Sequence, residues 1–566
     1  MVWVLPASSK YSSRGATIMP IRLAEPSAAA YRYPLLLKQL LHSARSTAAD
    51  QEIVYRDRKR YRYRDLDGRL ARLANALCDL GVEAGTTVAV LDWDSHRYLE
   101  CFFAIPMLGA VLQTVNVRLS SALVAYTMQH AGAEIALVHR DFLPLLEGIR
   151  GQLPLLRAVV VIDDFTAYPD HPEWVVAEYE QMLEAAAPAH EFQDFDENAI
   201  ATTFYTTGTT GDPKAVCFSH RQLVLHTLAV MAACASPAHG QSFRHGDVYM
   251  PMTPMFHVHA WGNPFVATLL GVKQVYPGRY VPAELIALRK REGVTYSHCV
   301  PTILQMLLAA ADKASTDLRG WKICIGGAAL SAGLAREALA HGIDVYAGYG
   351  MSETGPVMAV TRLPVPTGTL SEEAELAVRC RTGLPIPLVD LRVVSAAMDD
   401  LPRDGVSTGE IVVRAPWLTP CYVGNSVASD ELWAGGYLHT QDVAWRDPQG
   451  YLQITDRIKD VIKTGGEWIS SLQLEDLISR VPGVAEVAVI GVPDERWGER
   501  PCALVVPHAG ADTSALPHEV QQEVSRAASA GLLPRYGVPE RVVLVRALEK
   551  TSIGKVNKRA LREQYR

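Results

Sequence analysis

Apolar positions along this chain recur with two alternating periods. Leu66, Leu70, Leu73, Ala76 and Leu77 share one helical face within Leu66–Leu80, the spacing of an amphipathic helix. Thr87–Leu91, TVAVL after the Gly85 turn, is a short unbroken apolar run and predicts a buried strand. Phe102–Val115, Ile135–Val138 and Ala158–Asp163 continue the helix–strand alternation, which favours layered α/β structure with parallel strands. The acidic, alanine-rich Trp174–Asp196 reads as a surface helix and linker. Pro282–Gly293, Thr295–Val300 and Pro301–Ala311 read as helix, strand and helix, and Ile323–Ala329 as a buried strand ending in a glycine turn. From Glu410–Arg414 to Tyr451–Ile454 the pattern turns β-rich, as in a small barrel-like subdomain. Val487–Val492 and Ala503–Val506 read as strands and Glu519–Ala530 as a helix. The predicted fold class is α/β: a large N-terminal domain of layered sheets with a β-barrel-like subdomain, then a small α+β C-terminal domain.

Bulk properties narrow the class further. At 566 residues and roughly 150 residues per domain, three or four folding units are expected. An apolar fraction of 49% and a charged fraction of 20% exclude disordered and fibrous chains. The net charge of -7 argues against nucleic acid or an anionic membrane as partner. The nine scattered cysteines form no CxxC pair, which reads as buried, reduced thiols in a cytoplasmic protein. Cys101–Val115 and Leu223–Ala235 fall short of the roughly 20 residues of a membrane span. Met1–Ser27 carries its positive charge after its apolar stretch, the reverse of a secretory signal. It is expected to be a loosely ordered extension, with Met19 as an alternative start.

Candidate chemistry is concentrated in a few strings. Thr202–Val216 reads TTFYTTGTTGDPKAV. Backbone N–H groups and hydroxyls from Thr206, Thr207, Gly208, Thr209, Thr210 and Gly211 can converge on an anion, with Lys214 as a point charge. It is not a GxxxxGK[ST] loop, and a plain Thr/Gly turn is the alternative. Pro251–Trp261 carries His257 and His259 as an HxH pair, a weak metal signal without a third ligand. Gly326, Gly327 and Ala328 end one strand, where open α/β sheets bind ligands. In Gly348-Tyr349-Gly350-Met351-Ser352-Glu353, Tyr349 offers a flat face for a purine, Ser352 a hydroxyl for phosphate and Glu353 a hard oxygen for Mg2+. Asp442 is a carboxylate able to accept two hydrogen bonds.

YTTGTTGDPK, YGMSE, the HTQD string ending at Asp442, TDRIKDVIKTGGEW and TSIGK resemble, in order, the motifs of the adenylate-forming superfamily. The likeness runs from about Tyr31 to the end. Phrases such as DWDSHRYLE, SHRQLVLHTL and DVIKTGGEWISS are nearest the bacterial medium-chain fatty-acyl-CoA ligases. The resemblance implies a phosphate site at Thr206–Gly211 and Lys214, adenine and ribose contacts at Tyr349, Asp442 and Arg457, and Mg2+ at Glu353. It places a gate at His257 beside the acyl carboxylate and an acyl pocket at Trp261, Gly326, Gly348 and Met351, where glycines leave volume. It makes Lys555 the lysine that bridges acyl carboxylate and α-phosphate, Lys459 a hinge, and Lys463 with Gly465-Gly466 the pantetheine route. Domains of 31–457 and a mobile 458–566 follow, after an extension of 1–30.

By that resemblance an apolar acid, fatty or bulky alicyclic, is joined to CoA through an acyl-adenylate made from ATP. Three positions depart from the family: Ala215 for glycine after the phosphate lysine, Gln441 for glycine before the ribose aspartate, and Ala347 for an amide near adenine. A Cβ at Ala215 could crowd the triphosphate. A ligase performing mainly the thioester step on adenylate from a partner is therefore one alternative. An enzyme loading a carrier protein is a second. A homodimer stays open.

Overall fold

The structure, a computed structural model, describes residues 22–164, 171–206, 212–237, 240–464, 467–530, 533–550 and 556–565. Two compact units divide the chain, Met1–Pro34 and Leu35–Arg566. In the first, residues 22–33 are exposed and carry neither helix nor strand. Residues 1–21 of the expected extension lie outside the described residues.

The described residues of the second unit form four sheets. A seven-stranded sheet is parallel from Ala177–Glu178 through Ala158–Ile162, Ala133–His139, Thr87–Leu91 and Val111–Thr114 to Ile200–Thr206. Lys214–Ser219 closes its edge antiparallel to Ile200–Thr206. A nine-stranded sheet is parallel at its centre, from Glu52–Tyr55 through Lys273–Tyr276, Val248–Pro251, Tyr296–Cys299 and Lys322–Ile325 to Asp344–Gly350. The expected alternation is thus present, and Thr87–Leu91 is buried throughout. The helix expected around Leu66–Leu80 runs Tyr63–Asp79, with Leu66, Leu70, Leu73, Ala76 and Leu77 buried.

The β-rich stretch is a four-stranded antiparallel meander of Asp390–Val394, Gly409–Arg414, Leu438–Arg446 and Leu452–Arg457. The C-terminal sheet centres on one long hairpin, Val484–Asp494 with Gly498–Pro507. Its apolar clusters draw only on residues from Ile462 onward.

Charges buried among the helices that flank the sheets must be paired, and here they are. Glu100, fully buried, accepts from Arg69 Nε at 2.6 Å, from Tyr61 and from Tyr179. Glu180 accepts from Arg69 and Arg97, so the helix Tyr179–Ala185, expected on the surface, is instead tied inward at its start. Buried carboxylates are retained only when hydrogen-bonded in this way.

Candidate nucleotide and acyl site

The phosphate string sits on the edge hairpin of the seven-stranded sheet. Thr206 ends its first strand and faces Lys214, which opens the second. Thr207, Gly208, Thr209, Thr210 and Gly211 lie outside the described residues. So do Gly465, Gly466 and Lys555. Ala215 lies inside the returning strand, opposite Tyr205, and its carbonyl accepts from Val423 N–H at 3.0 Å. Side chains alternate along a strand, so the Ala215 methyl lies on the opposite face from Lys214, and it is 3% exposed. The Ala215 methyl therefore does not share the face that carries the lysine.

Lys214 is brought to Glu353 by a residue that sequence reasoning missed. The Lys214 ammonium lies 4.7 Å from the Tyr422 ring centroid, and the Tyr422 hydroxyl donates to Glu353 Oε1 at 2.7 Å. Burial, with the Glu353 charge added, pushes the Tyr422 phenol up, so it stays a donor. Glu353 itself is buried in the short turn Ser352–Thr354, and its carbonyl accepts from Thr419 N–H at 2.9 Å. Glu353 and the Ser352 hydroxyl are hard oxygen donors, the chemistry Mg2+ takes. No signal in WLTPCY marked Tyr422, because both its partners are remote in sequence.

Asp442 anchors a second cluster. Tyr349 Oη donates to Asp442 Oδ2 at 2.7 Å, and Arg457 Nε to Oδ1 at 3.0 Å. Burial and the Asp442 charge both raise the Tyr349 pKa, so the phenol remains protonated. Each carboxylate oxygen keeps a second acceptor position for a ligand hydroxyl. Gln441, where the family has glycine, adopts φ 60°. A non-glycine residue there costs on the order of 1 kcal/mol, and Gln441 N–H is held by Glu410 at 3.0 Å. Gly350 occupies a bulge against the strand Val357–Val360, and a Cβ built on it would overlap the Pro356 carbonyl. Only glycine fits.

The residues expected to line an acyl pocket are placed by packing. Trp261 is 7% exposed, and its indole lies 4.9 Å from the His298 ring. A Cβ on Gly326 would meet Trp261 Cη2 at 2.9 Å, and one on Gly348 would meet Cys324 Sγ at 2.9 Å. The volume that the glycines were expected to leave is thus taken up, by indole at Gly326 and by sulfur at Gly348. Gly327 and Ala328 are exposed at the strand end, Gly327 with φ 77°. Met351 and Ser352, which follow Gly350, are half-buried, Met351 N–H donating to Thr354 Oγ1 at 3.1 Å.

His257 is half-buried and precedes an unusual turn: Val258, His259, Ala260 and Trp261 have φ of 47°, 54°, 47° and 58°. Each such residue costs about 1–2 kcal/mol, so the turn is held by its surroundings. Met255 N–H donates to the buried Asp94 at 2.9 Å, and Thr114 Oγ1 donates to the Phe256 carbonyl at 2.9 Å. Burial pushes the Asp94 carboxyl up to about 7. His259 is not half of a metal pair. It is fully buried against Phe102, Phe204 and Phe265, burial pushes it down to about 3, and no metal-ligating cluster exists among the described residues.

Past the meander, Lys459 and Lys463 are exposed. Lys463 N–H donates to Glu499 Oε2 at 3.0 Å and Thr464 Oγ1 to the Glu499 carbonyl at 2.8 Å, a clamp that sequence reasoning also missed. Asp456 accepts from Ser471 N–H at 2.6 Å, and Lys558, three residues after Lys555, pairs with Glu475 at 2.7 Å. Burial works against the Lys558 charge, but Glu475 and Asp456 outweigh it and raise its pKa.

Family models for AMP-binding enzymes match residues 40–423, and for the AMP-binding enzyme C-terminal domain residues 473–555. The chain belongs to the AMP-binding enzymes. It is an adenylate-forming enzyme of the AMP-forming acyl-CoA synthetase class. A long-chain-fatty-acid–CoA ligase of Thermus thermophilus is 41% identical over 89% of this chain and 90% of its own length. A medium-chain-fatty-acid–CoA ligase of Ectopseudomonas oleovorans is 33% identical over 89% of this chain and 90% of its own. Among solved structures, ATP-bound MatB from Rhodopseudomonas palustris superposes with a TM-score of 0.78, at 25% identity, over 94% of this chain and 99% of that one. No described helix is long and apolar enough to cross a membrane.

Proposed function

We propose that this AMP-binding enzyme joins an apolar carboxylic acid, a fatty acid in the first instance, to CoA by way of an acyl-adenylate. The observation that carries the reading is the pairing of a cationic and an anionic grip on one scaffold. Lys214 and Glu353 meet at Tyr422, while Asp442 is braced by Tyr349 and Arg457. That arrangement suits a triphosphate at one end and a ribose at the other. The names of two relatives, a long-chain- and a medium-chain-fatty-acid–CoA ligase, support the same reading.

In this account the acid's carboxylate attacks the α-phosphorus of ATP and pyrophosphate leaves. Lys214 and Lys555 offset charge that builds on the phosphoryl oxygens, an electrostatic contribution. Glu353 and Ser352 would hold Mg2+, which neutralises phosphate charge when bound. Asp442 fixes the ribose hydroxyls and Tyr349 lies along the base. His257 stands at the carboxylate, and Trp261 with Gly326, Gly348 and Met351 lines the acyl side.

The small domain, 458–566, then turns about Lys459 against 31–457, and Lys463 with Gly465-Gly466 lines the route of the CoA thiol. One observation supports that division: the C-terminal apolar clusters draw only on residues from Ile462 onward. The thiol attacks the mixed anhydride and AMP leaves, so no protein nucleophile is required. The buried Ala215 methyl, on the strand face away from Lys214, supports the use of intact ATP.

The test is a panel of linear acids of increasing length, with Mg-ATP and CoA, scored for thioester. A peak of kcat/KM at one chain length supports the reading. Pyrophosphate release without thioester for every acid would redirect it to a carrier protein as acceptor.

A further inference from the structure

Tyr422 belongs to no motif string, yet it touches both charged ends of the phosphate grip. Its ring takes Lys214 at 4.7 Å and its hydroxyl takes Glu353 at 2.7 Å. The segment that carries it is fastened on three sides. Val216 bridges Tyr422 antiparallel, Val423 N–H donates to the Ala215 carbonyl, and Thr419 N–H donates to the Glu353 carbonyl. Gln222 Nε2 donates to the Leu418 carbonyl at 2.6 Å and Trp433 Nε1 to the Thr419 carbonyl at 3.2 Å. Tyr422 therefore sits in a strap that crosses both the lysine strand and the glutamate turn.

Among the described residues one phenol bonds the buried Glu353 carboxylate, and such a bond sets the rotamer. An ammonium over an aromatic face is held by the ring quadrupole, which survives loss of the hydroxyl. The two grips are therefore chemically separable at one side chain. We propose that Tyr422 is a positioning residue whose hydroxyl aims Glu353 at the divalent cation and whose ring aims Lys214 at the triphosphate. This rests on the proposed nucleotide reading of the site and assigns the order within it.

The test uses the full chain. ATP binding is measured by calorimetry in EDTA, and Mn2+ binding to the protein–ATP complex by electron paramagnetic resonance. Tyr422→Phe is expected to leave metal-free ATP affinity within twofold and to weaken Mn2+ about tenfold. Tyr422→Leu is expected to weaken both. In Glu353→Gln, adding Tyr422→Phe is expected to cost nothing further, because the hydroxyl acts through Glu353. Should Tyr422→Leu fail to fold, the Tyr422→Phe and Glu353→Gln cycle still decides.

Unchanged Mn2+ binding in Tyr422→Phe would overturn the proposal, as would losses that simply multiply in the double variant. None of these readouts involves thioester. A protein that met them but made no acyl-CoA would refute the proposed function and leave the positioning role standing.

Discussion

The proposed nucleotide end and the proposed acyl end of this site are made by different physics. At the nucleotide end every decisive contact is polar and directed: Tyr349 and Arg457 on Asp442, Tyr422 on Glu353, Lys214 on the Tyr422 face. At the acyl end the contacts are shape alone. Trp261 fills the space over Gly326, Cys324 sulfur that over Gly348, and four residues in left-handed backbone carry the indole there. Directed contacts tie a residue type to a job, so they recur as readable strings. Shape can be met by many side chains, so the string says little about the acid.

That contrast can be broken most forcefully at Asp442. Asp442→Ala leaves a phenol and a guanidinium without their acceptor and would remove the proposed ribose contact from both half-reactions. Both are expected to fall about 100-fold or more, consistent with about 3 kcal/mol for losing a charged hydrogen-bond partner. A selective loss of only one half-reaction would show that Asp442 does not hold the shared AMP moiety.

Gly326→Ala attacks the other end. Its Cβ would stand 2.9 Å from Trp261 Cη2, so the indole must shift. The expected result is a changed chain-length profile for the acid, with ATP affinity within twofold. A stability loss of about 1–3 kcal/mol in urea unfolding is expected alongside. An unchanged profile would separate Trp261 from acyl selection.

Asp94 offers a pH test of the acyl-end turn. Its folded pKa of about 7 lies above the ordinary carboxylate value, and Asp94 is buried beside Tyr280, Arg118 and Asp92. Between roughly pH 4 and 7 the folded protein keeps a proton that the unfolded chain releases. Stability contributed by this group is therefore present below about pH 4 and lost as pH rises through 7. Asp94→Asn removes that slope, which is at most about 1.4 kcal/mol per pH unit. Urea midpoints of both proteins across that range would show wild type losing ground to the variant as pH rises.

The smallest effect is at Gln441. Gln441→Gly relieves a φ of 60° but gains backbone entropy in the unfolded chain, so a net stabilisation within about 1 kcal/mol is expected. Destabilisation in a thermal melt would mean that the entropy gained by the unfolded chain outweighs the relieved strain, since the Glu410 bond to the backbone N–H is kept in both proteins.

How far the chain could be read follows the same division. The layered sheets were legible, because strands such as Thr87–Leu91 are buried end to end and helices such as Tyr63–Asp79 keep one apolar face. Asp442, Glu353 and Lys214 were legible because each sits in a local string. Tyr422 was not, since its partners reach it only through the fold. Nor was the ion network of Arg69, Glu100 and Glu180, where pairing rather than exposure satisfies the charges. Nothing in Val258–Trp261 foretells positive φ, because the turn is imposed by Asp94 and Thr114 from elsewhere in the chain. The glycines of the acyl end were read as empty space because a sequence names the residue that lacks a side chain and not the neighbour that moves in.

The measurement that bears most directly on the central claim separates the half-reactions in one purified protein. Apolar acids with Mg-ATP are scored for pyrophosphate, and the matching acyl-adenylates with CoA for thioester. The account predicts both activities, with Lys555→Ala losing chiefly the first. Thioester from adenylates but no pyrophosphate from any acid would contradict it, and would place adenylate formation on another protein.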